Sequence, residues 1–447
     1  MYSVWRRKLN QFFRDERFSE IARGGLLTFG AKIVAVLLGI GSSFIVARFY
    51  GAEVVGTLAL INAFLSVALI VSLMGTDTSL LKIIPEHLVK YSLGSAKAAF
   101  KKTMHLVLLF SFVISIFSFA LSDVIASGIF SKPHLSFLFA LASTIILFKS
   151  LQTLNMTALR GMKNIKLFVF FQWFPSAFYL VALIVVTLVF YDKYNPVYIQ
   201  LFTPVLMVVI SSYFVWSHFK GDKERGGQVH MLSYENIFST AHPMFLTSVL
   251  FLVISQTDVI MLGVMSDEAS LGIYSIVLKL AGLTAFLLTA INTILGPKFS
   301  ELYHRDKIDE LIFVARKSSK MIFWSSAPLL ILLIAGGHWI LGIFGSSFVA
   351  GYLALVILAV GQFVNAASGS VGYFLNMTGN QTVYRNIIII ASAVNITGNY
   401  LLIPSFGIKG AAAASLLSLL ISNLLPLFYI KGKFGSFIGY FPLRVSR

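Results

Sequence analysis

The sequence contains no cysteine among its 447 residues. Disulfides, thiolate metal sites and cysteine nucleophiles are therefore excluded. Charged side chains are also scarce, at 12% of the chain, whereas soluble domains carry about 25%. Hydrophobic residues fill 57% of the positions. No soluble core can bury that much apolar surface, so the composition indicates a membrane protein.

Long apolar windows define the fold class. Residues 167–190 and 197–219 contain no Asp, Glu, Lys or Arg. Each window exceeds the roughly 20 residues that a spanning helix needs. A β-barrel would instead require short segments of alternating polarity, and these windows are continuously apolar. We therefore predict an all-α integral membrane protein.

Twelve spanning helices are expected, in two sets of six. The first set is predicted near residues 25–47, 54–76, 103–125, 135–158, 167–190 and 197–219, and the second near 238–262, 270–296, 321–345, 349–377, 384–403 and 408–430. The predicted domains are a basic arm at 1–23, an N-terminal lobe at 24–220, a linker at 221–236, a C-terminal lobe at 237–431 and a basic tail at 432–447. Two further segments, 80–102 and 298–320, are expected to be surface helices outside the spans.

The distribution of basic residues sets the predicted orientation. With the N-terminus in the cytoplasm, 28 Lys and Arg residues fall on the cytoplasmic side, and four (Arg48, Lys132, Lys193 and Lys409) fall outside. This asymmetry follows the positive-inside rule, so both termini are predicted to be cytoplasmic. The net charge of +17 then reflects loops that face anionic membrane lipids, and nucleic acid is not an expected partner.

The two sets of six helices show weak internal similarity. Residues 47–56 and 263–272 each form an acidic turn bounded by glycine between two spans. Similarity at corresponding points of two halves is typical of a duplicated transporter. Because each half has an even number of spans, the repeat is predicted to be parallel.

Three stretches carry a family resemblance: residues 48–56; the pattern Asp258-x4-Gly263-x8-Gly272-x-Tyr274-x4-Lys279; and the pattern Asn395-x3-Asn399-x4-Pro404-x2-Gly407-x2-Gly410. In their order and spacing the chain resembles the polysaccharide-transporter, or O-antigen flippase (Wzx-like), branch of the multidrug/oligosaccharidyl-lipid/polysaccharide exporter superfamily. The resemblance covers almost the whole chain.

The resemblance implies two pseudo-symmetric six-helix lobes around a central cavity, lined mainly by the first, second, seventh and eighth helices, and alternating access by rocking of the lobes. It implies as substrate an undecaprenyl pyrophosphate that carries a short oligosaccharide, flipped across the inner membrane for surface polysaccharide assembly. Polysaccharide assembly proteins are candidate partners. No cofactor is implied.

Three lysines fall inside predicted spans: Lys32, Lys149 and Lys279. A central charge costs about 2.5–3.5 kcal/mol on insertion scales, so such residues usually face a cavity or a partner. We interpret Lys279 and Lys32, with Arg48 above and Arg23 below, as a positive field matched to pyrophosphate. The alternative is a buried lysine paired with a carbonyl or an acid, and for Lys149 both interpretations stay open.

Two acidic residues are candidates for gating or ion coupling. Asp258 is predicted near the outer end of the seventh span, where it would pair with Arg48 or Lys279, or carry a coupling proton. Asp77, at the inner end of the second span, would pair with Lys82 or Arg23. A solvated acid at a helix end is an equally good interpretation of Asp77.

Other function classes are less compatible with the sequence. A drug or cation antiporter of the same fold often carries an acid in the first helix, and here residues 24–47 contain Lys32 and no Asp or Glu. A polysaccharide polymerase or ligase needs catalytic groups on a large outer loop, and residues 122–134 and 336–351 offer no paired carboxylates. The isolated His105, His242 and His338 do not predict a metal site. A channel or a structural scaffold is a further alternative, although buried lysines have no obvious purpose in an inert bundle.

Overall fold

The computed structural model describes residues 16–220 and 232–441, and those residues fold as helices joined by short connections. In the first range lie α1 (Glu16–Ile45), α2 (Gly51–Leu73), α3 (Thr76–Lys90), α4 (Leu93–Ala120), α5 (Ser136–Gly161), α6 (Ile165–Val189) and α7 (Asn195–Lys220). In the second lie α8 (Tyr234–Met265), α9 (Glu268–Gly282), α10 (Phe286–His304), α11 (Ile308–Phe344), α12 (Tyr352–Ser368), α13 (Val371–Met377), α14 (Gln381–Phe406) and α15 (Ile408–Phe434).

The described residues contain 11 helical stretches long and apolar enough to cross a membrane. The first, Leu27–Leu73, has 47 residues. A straight helix of that length would span about 70 Å, against an apolar bilayer core of about 30 Å. Gly51 interrupts it with φ +83°, after a π-helical turn at Val46–Tyr50, so this stretch holds two spans. The predicted all-α membrane fold with about 12 spans is confirmed, and the protein is a multi-pass membrane protein.

Both predicted surface segments differ from the structure. The chain breaks at Gly75, with φ +78°, and α3 forms a separate helix at Thr76–Lys90, which covers only the first part of the predicted segment 80–102. From Leu93 that segment belongs to α4, which continues into the next span. The second predicted segment, 298–320, is wrong as a separate element, because α10 continues to His304 and α11 begins at Ile308. Buried residues at helical spacing, including Leu311, Ala315, Ser319 and Ile322, join that segment to the following span in one 37-residue helix.

Two compact units divide the described chain. Unit 1 comprises residues 16–42, 68–120 and 141–246, and unit 2 comprises 43–67, 121–140 and 247–441, apart from the gap at 221–231. The core of unit 1 includes the fully or almost fully buried Phe100 and Phe171. That of unit 2 includes Phe299 and Phe374, whose rings meet edge to face at 5.6 Å. The predicted lobe limits, 24–220 and 237–431, stay a prediction.

Candidate functional site

The helix that carries Lys279 has a clear beginning and one dominant buried segment. Its N-cap is Asp267, whose side chain accepts a hydrogen bond from the backbone N–H of Ser270 at 2.6 Å. Residues 271–277 are all buried, whereas Lys279 in the last turn keeps accessible surface. Helix α9 therefore packs into unit 2 and presents a cation at its C-terminal end.

Lys279 contacts a hydroxyl of α1. Its Nζ donates a hydrogen bond to Oγ of Ser43 at 2.7 Å, and Ser43 is only 8% exposed. No carboxylate among the described residues forms an ion pair with Lys279. Because the hydroxyl is neutral, it orients the ammonium group without cancelling its charge. The lysine stays available to an anion.

A close crossing of α2 and α9 fixes the position of this lysine. A Cβ atom added to Gly56 would lie 1.8 Å from the carbonyl oxygen of Glu268, and one added to Gly272 would lie 1.9 Å from that of Ala52. Only glycine permits this approach of the two backbones. The last glycine of each of the two similar turns of the sequence, Gly56 and Gly272, therefore packs against the backbone of the opposite helix.

The second polar cluster surrounds Asp258 on α8, which is 6% exposed. One carboxylate oxygen accepts hydrogen bonds from Nδ2 of Asn395 at 3.0 Å and from Nδ2 of Asn399 at 2.7 Å. The other accepts from the hydroxyl of Tyr274 at 2.7 Å and from that of Ser415. Four neutral donors from α9, α14 and α15 thus compensate the removal of this carboxylate from water.

This arrangement differs from the predicted partners of Asp258, which were Arg48 or Lys279. Tyr274 lies on the same helix as Lys279, but it is the phenol rather than the ammonium group that reaches the carboxylate. Arg48 is exposed in the π-helical turn that follows α1. The predicted ion pair is replaced by a hydrogen-bond cluster because neutral donors from three other helices occupy the carboxylate.

Lys32 and Lys149 both belong to unit 1. Lys32 is exposed on α1. Lys149 is partly buried on α5, and within the described ranges no acid or hydrogen-bond acceptor pairs with its ammonium group. The acid partner expected in the second interpretation is therefore absent from the described residues, and a role of Lys149 in substrate binding stays a prediction.

Asp77 and Arg23 were predicted at the inner end of the bundle. Asp77 is partly buried in the first turn of α3, and no ion pair with Lys82 forms in the described structure. Burial raises the pKa of its carboxyl above the ordinary value, against the lowering effect of hydrogen bonds from Thr78. Arg23 lies on α1, and its side chain is outside the described part of the structure.

The described residues contain no group of three or more His, Asp or Glu side chains that could hold a metal ion. Several functional contacts were not expected from the sequence. Ser43 was not singled out at all, and Asn395 and Asn399 entered only as part of the family pattern. Their spacing of four residues on a helix, which places both amides on one face, was the available signal.

A family model described as "Polysaccharide biosynthesis protein" matches residues 21–303, and a second, described as MatE, matches residues 243–401. "Probable flippase AglR" of Haloferax volcanii is 30% identical over 174 residues, which are 38% of this chain and 37% of that protein. The alignment therefore spans little more than a third of the length of this curated relative.

Two solved structures share the fold. An inward-facing multidrug resistance MATE family transporter of the MOP superfamily superposes with a TM-score of 0.73 at 14% identity, over 92% of this chain and 98% of that one. The lipid II flippase MurJ in an inward closed conformation gives 0.71 at 16% identity, over 92% and 87%. At these identities the likeness concerns the fold.

Proposed function

Because the chain belongs to the polysaccharide biosynthesis protein family, we propose that it is a flippase for lipid-linked oligosaccharides. The proposed substrate is an oligosaccharide on undecaprenyl pyrophosphate, moved from the cytoplasmic to the outer leaflet of the inner membrane by alternating access. The oligosaccharide would serve the assembly of a surface polysaccharide such as O-antigen, capsule or exopolysaccharide. Both termini are proposed to be cytoplasmic.

The observation that carries this proposal is the cation at the end of α9. Lys279 lies on a spanning helix, keeps accessible surface, and is held by a neutral hydroxyl rather than by an acid. A charge on a spanning helix is costly, so such residues usually face a cavity or a ligand and mark a functional site. A diphosphate carries negative charges that such an ammonium group can neutralise on the way through the apolar layer.

Further cations extend the proposed substrate contacts. In unit 2, Arg48 is exposed close to the end of α1 that holds Ser43. In unit 1, Lys149 offers an ammonium group with no described partner, and Lys32 an exposed one. Arg23 completes the set proposed from the sequence. A carboxylate would suit a cationic drug, whereas each of these cations suits an anion.

Asp258 is proposed to couple transport to an ion. Its carboxylate is buried among neutral donors, and Oδ1 of the buried Asn399 accepts no hydrogen bond from any residue in the described ranges. A carboxylate beside an unsatisfied amide oxygen can take up a proton or an alkali cation without a counter-charge already in place. Asp77 is a second candidate, because burial raises the pKa of its carboxyl.

A cation or drug antiporter is the second candidate function, and the MatE match to residues 243–401 favours it. A membrane polymerase or ligase is a weaker alternative. Transport into proteoliposomes separates these functions. We expect the purified protein to move a fluorescent undecaprenyl-pyrophosphate oligosaccharide between leaflets, measured by its protection from a membrane-impermeant quencher. Movement of ethidium without movement of the glycolipid would favour the antiporter, and elongated or transferred glycan products would favour the enzyme.

A further inference from the structure

A buried lysine in the connection between α4 and α5 ties two distant parts of unit 2 together. Lys132 is 7% exposed, and its Nζ donates a hydrogen bond to the backbone carbonyl of Ser266 at 2.9 Å. The same ammonium group lies 3.9 Å from Oε1 of Glu268. Nε2 of His134 lies 3.2 Å from that same oxygen. Two side chains from one connection thus converge on the turn between α8 and α9.

The connection is shaped to present this lysine. Ser131 takes a positive φ of +54°, and the backbone N–H of Lys132 bonds to the carbonyl of Ala126 at 2.7 Å. Leu135 is fully buried, and the ring of Phe130 stacks on that of Phe139 at 5.4 Å. A left-handed conformation is unfavourable for serine and persists only where its surroundings enforce it. The backbone bond to Ala126 and the packing of Phe130 and Leu135 therefore fix the position of Lys132.

We propose that Lys132, His134 and Glu268 form an outer latch, which closes the outer end of the transport route and opens once in each cycle. The inference rests on the proposed transport function. Lys132 comes from the connection before the fourth predicted span, and Ser266 and Glu268 from the turn between the seventh and eighth. These segments are 134 residues apart in sequence and belong to different halves of the predicted repeat.

The chemistry of the contact suits a reversible closure. A buried ammonium group without a partner is strongly destabilising, so the closed state is stable only when Lys132 lies against Ser266 and Glu268. When the two segments separate, water can solvate both charges and recover the desolvation cost, which a purely apolar contact cannot do. The exposed His134 side chain leaves one side of the cluster open to water from which opening can begin.

The latch is also connected to the proposed substrate cation. Glu268 is the first residue of α9, and Lys279 lies about three turns further along the same helix. The backbone of Glu268 also lies against Gly56 of α2. Release of the Glu268 side chain therefore removes one of two contacts at the N-terminal end of the helix whose C-terminal end carries Lys279, and the crossing with Gly56 is the other.

The first test measures opening without any transport. Leu135→Cys places one thiol in the otherwise cysteine-free chain, at a fully buried position next to the latch residues. The rate at which this thiol reacts with a membrane-impermeant maleimide measures how often the connection between α4 and α5 opens. We expect Lys132→Met to raise the labelling rate about tenfold, because it leaves Glu268 without its buried cation. The exchanged pair Lys132→Glu with Glu268→Lys should return part of the protection, because it restores the ion pair but not the hydrogen bond to the carbonyl of Ser266. Lys409→Met, at an exposed lysine of α15, is the matched control and should not change the rate.

The second test links the latch to the cycle. The pair His134→Cys and Glu268→Cys, oxidised to a disulfide in proteoliposomes, should stop transport of the fluorescent glycolipid, and reduction should restore it. The transport rate of each single-cysteine variant should be the same before and after oxidation. Equal labelling rates of Leu135→Cys with and without Lys132→Met would overturn the latch. Full transport by the cross-linked protein would also overturn it. If the wild-type protein moved no glycolipid while the Leu135→Cys variants showed the expected labelling changes, the transport function would be overturned and the closure would stand.

Discussion

The ammonium group of Lys279 lies 2.7 Å from the hydroxyl of Ser43, although the two residues are 236 positions apart in the sequence. Ser43 belongs to the last turns of α1, and Lys279 to the last turn of α9. The neutral hydroxyl fixes the direction of the lysine and leaves its charge intact. An anion that replaces or joins Ser43 would therefore meet a preoriented cation at low entropic cost.

Lys279→Ala is expected to abolish glycolipid transport while the protein remains folded and inserted. The substitution removes the cation of α9 but no part of the crossing between α2 and α9. Lys279→Arg should retain more activity, because the guanidinium group keeps the charge and can bind a phosphate with two hydrogen bonds. Initial transport rates in proteoliposomes, at protein amounts matched by size-exclusion chromatography, provide the measurement.

Lys409→Ala is the control for this substitution, since it removes an exposed lysine from the same unit. It should leave the transport rate unchanged. Normal transport by well-folded Lys279→Ala would exclude the lysine from the substrate path.

Asp258→Asn is expected to remove the dependence of transport on an ion gradient. The amide is isosteric, so the packing among Tyr274, Asn395 and Asn399 is largely kept, whereas the negative charge that would bind a proton or an alkali cation is lost. We expect downhill exchange of glycolipid to continue and accumulation driven by a gradient to stop. The measurement is the ratio of transport rates with and without imposed proton and sodium gradients.

Asp123→Asn changes an exposed acid between α4 and α5 and should keep that ratio at the wild-type value. If Asp258→Asn responded to both gradients as the wild type does, coupling would have to reside elsewhere, with Asp77 as the next candidate.

Much of the fold follows from the sequence, because long apolar windows leave a chain few choices in a membrane. The family resemblance is also confirmed, by the match of residues 21–303 to the polysaccharide biosynthesis model. The charges inside the spans were singled out from the sequence, and their roles stay predictions. Their partners could not be predicted, since a pattern along one helix does not specify which side chains of other helices reach it.

Asp258 illustrates this limit. Its burial and its location on the seventh span were foreseeable, and a cation was the natural partner to expect for a buried acid. The fold instead brings Asn395 and Asn399 to the carboxylate from 137 and 141 residues away. Lys132 is similar, since the sequence marks it only as one of four outer basic residues, and its burial depends on a turn 134 residues later.

Gly56→Ala is expected to destabilise the protein strongly. The added methyl group would lie 1.8 Å from the carbonyl oxygen of Glu268, so α2 and α9 would have to separate by more than an ångström. Overpacking of this kind costs about 1–3 kcal/mol or more. Gly272→Ala should behave alike, because its added methyl group would meet the Ala52 carbonyl. The midpoint of thermal unfolding in detergent, followed by circular dichroism or tryptophan fluorescence, is the measurement.

Gly30→Ala is the matched control within a spanning helix, because a Cβ at Gly30 meets no atom within 4 Å. Alanine also favours the helix over glycine by about 1 kcal/mol, so this variant should unfold at the wild-type temperature or slightly above. Equal unfolding temperatures for Gly56→Ala and Gly30→Ala would contradict the close crossing.

Glu301 near the end of α10 provides a test based on pH. Its carboxylate accepts a hydrogen bond from Lys298 at 2.9 Å and lies 3.2 Å from Arg305. The hydrogen bond from Lys298, followed by the attraction of nearby cations, lowers the pKa of Glu301 below its ordinary value. A lowered pKa in the folded state stabilises the protein above the unfolded pKa of about 4.3, and this contribution disappears as the pH falls through the folded pKa.

Glu301→Gln should therefore be less stable than the wild type at pH 7, and the two proteins should converge below about pH 4. Because Glu301 and Lys298 are both about one-third exposed, solvent screening should keep the difference at pH 7 below about 1 kcal/mol. Adding Lys298→Met to Glu301→Gln should cost little more than either substitution alone, since both remove the same contact. Thermal unfolding of the four proteins across this pH range measures the coupling, and a difference that grows toward acid pH would reverse the assigned direction of the pKa.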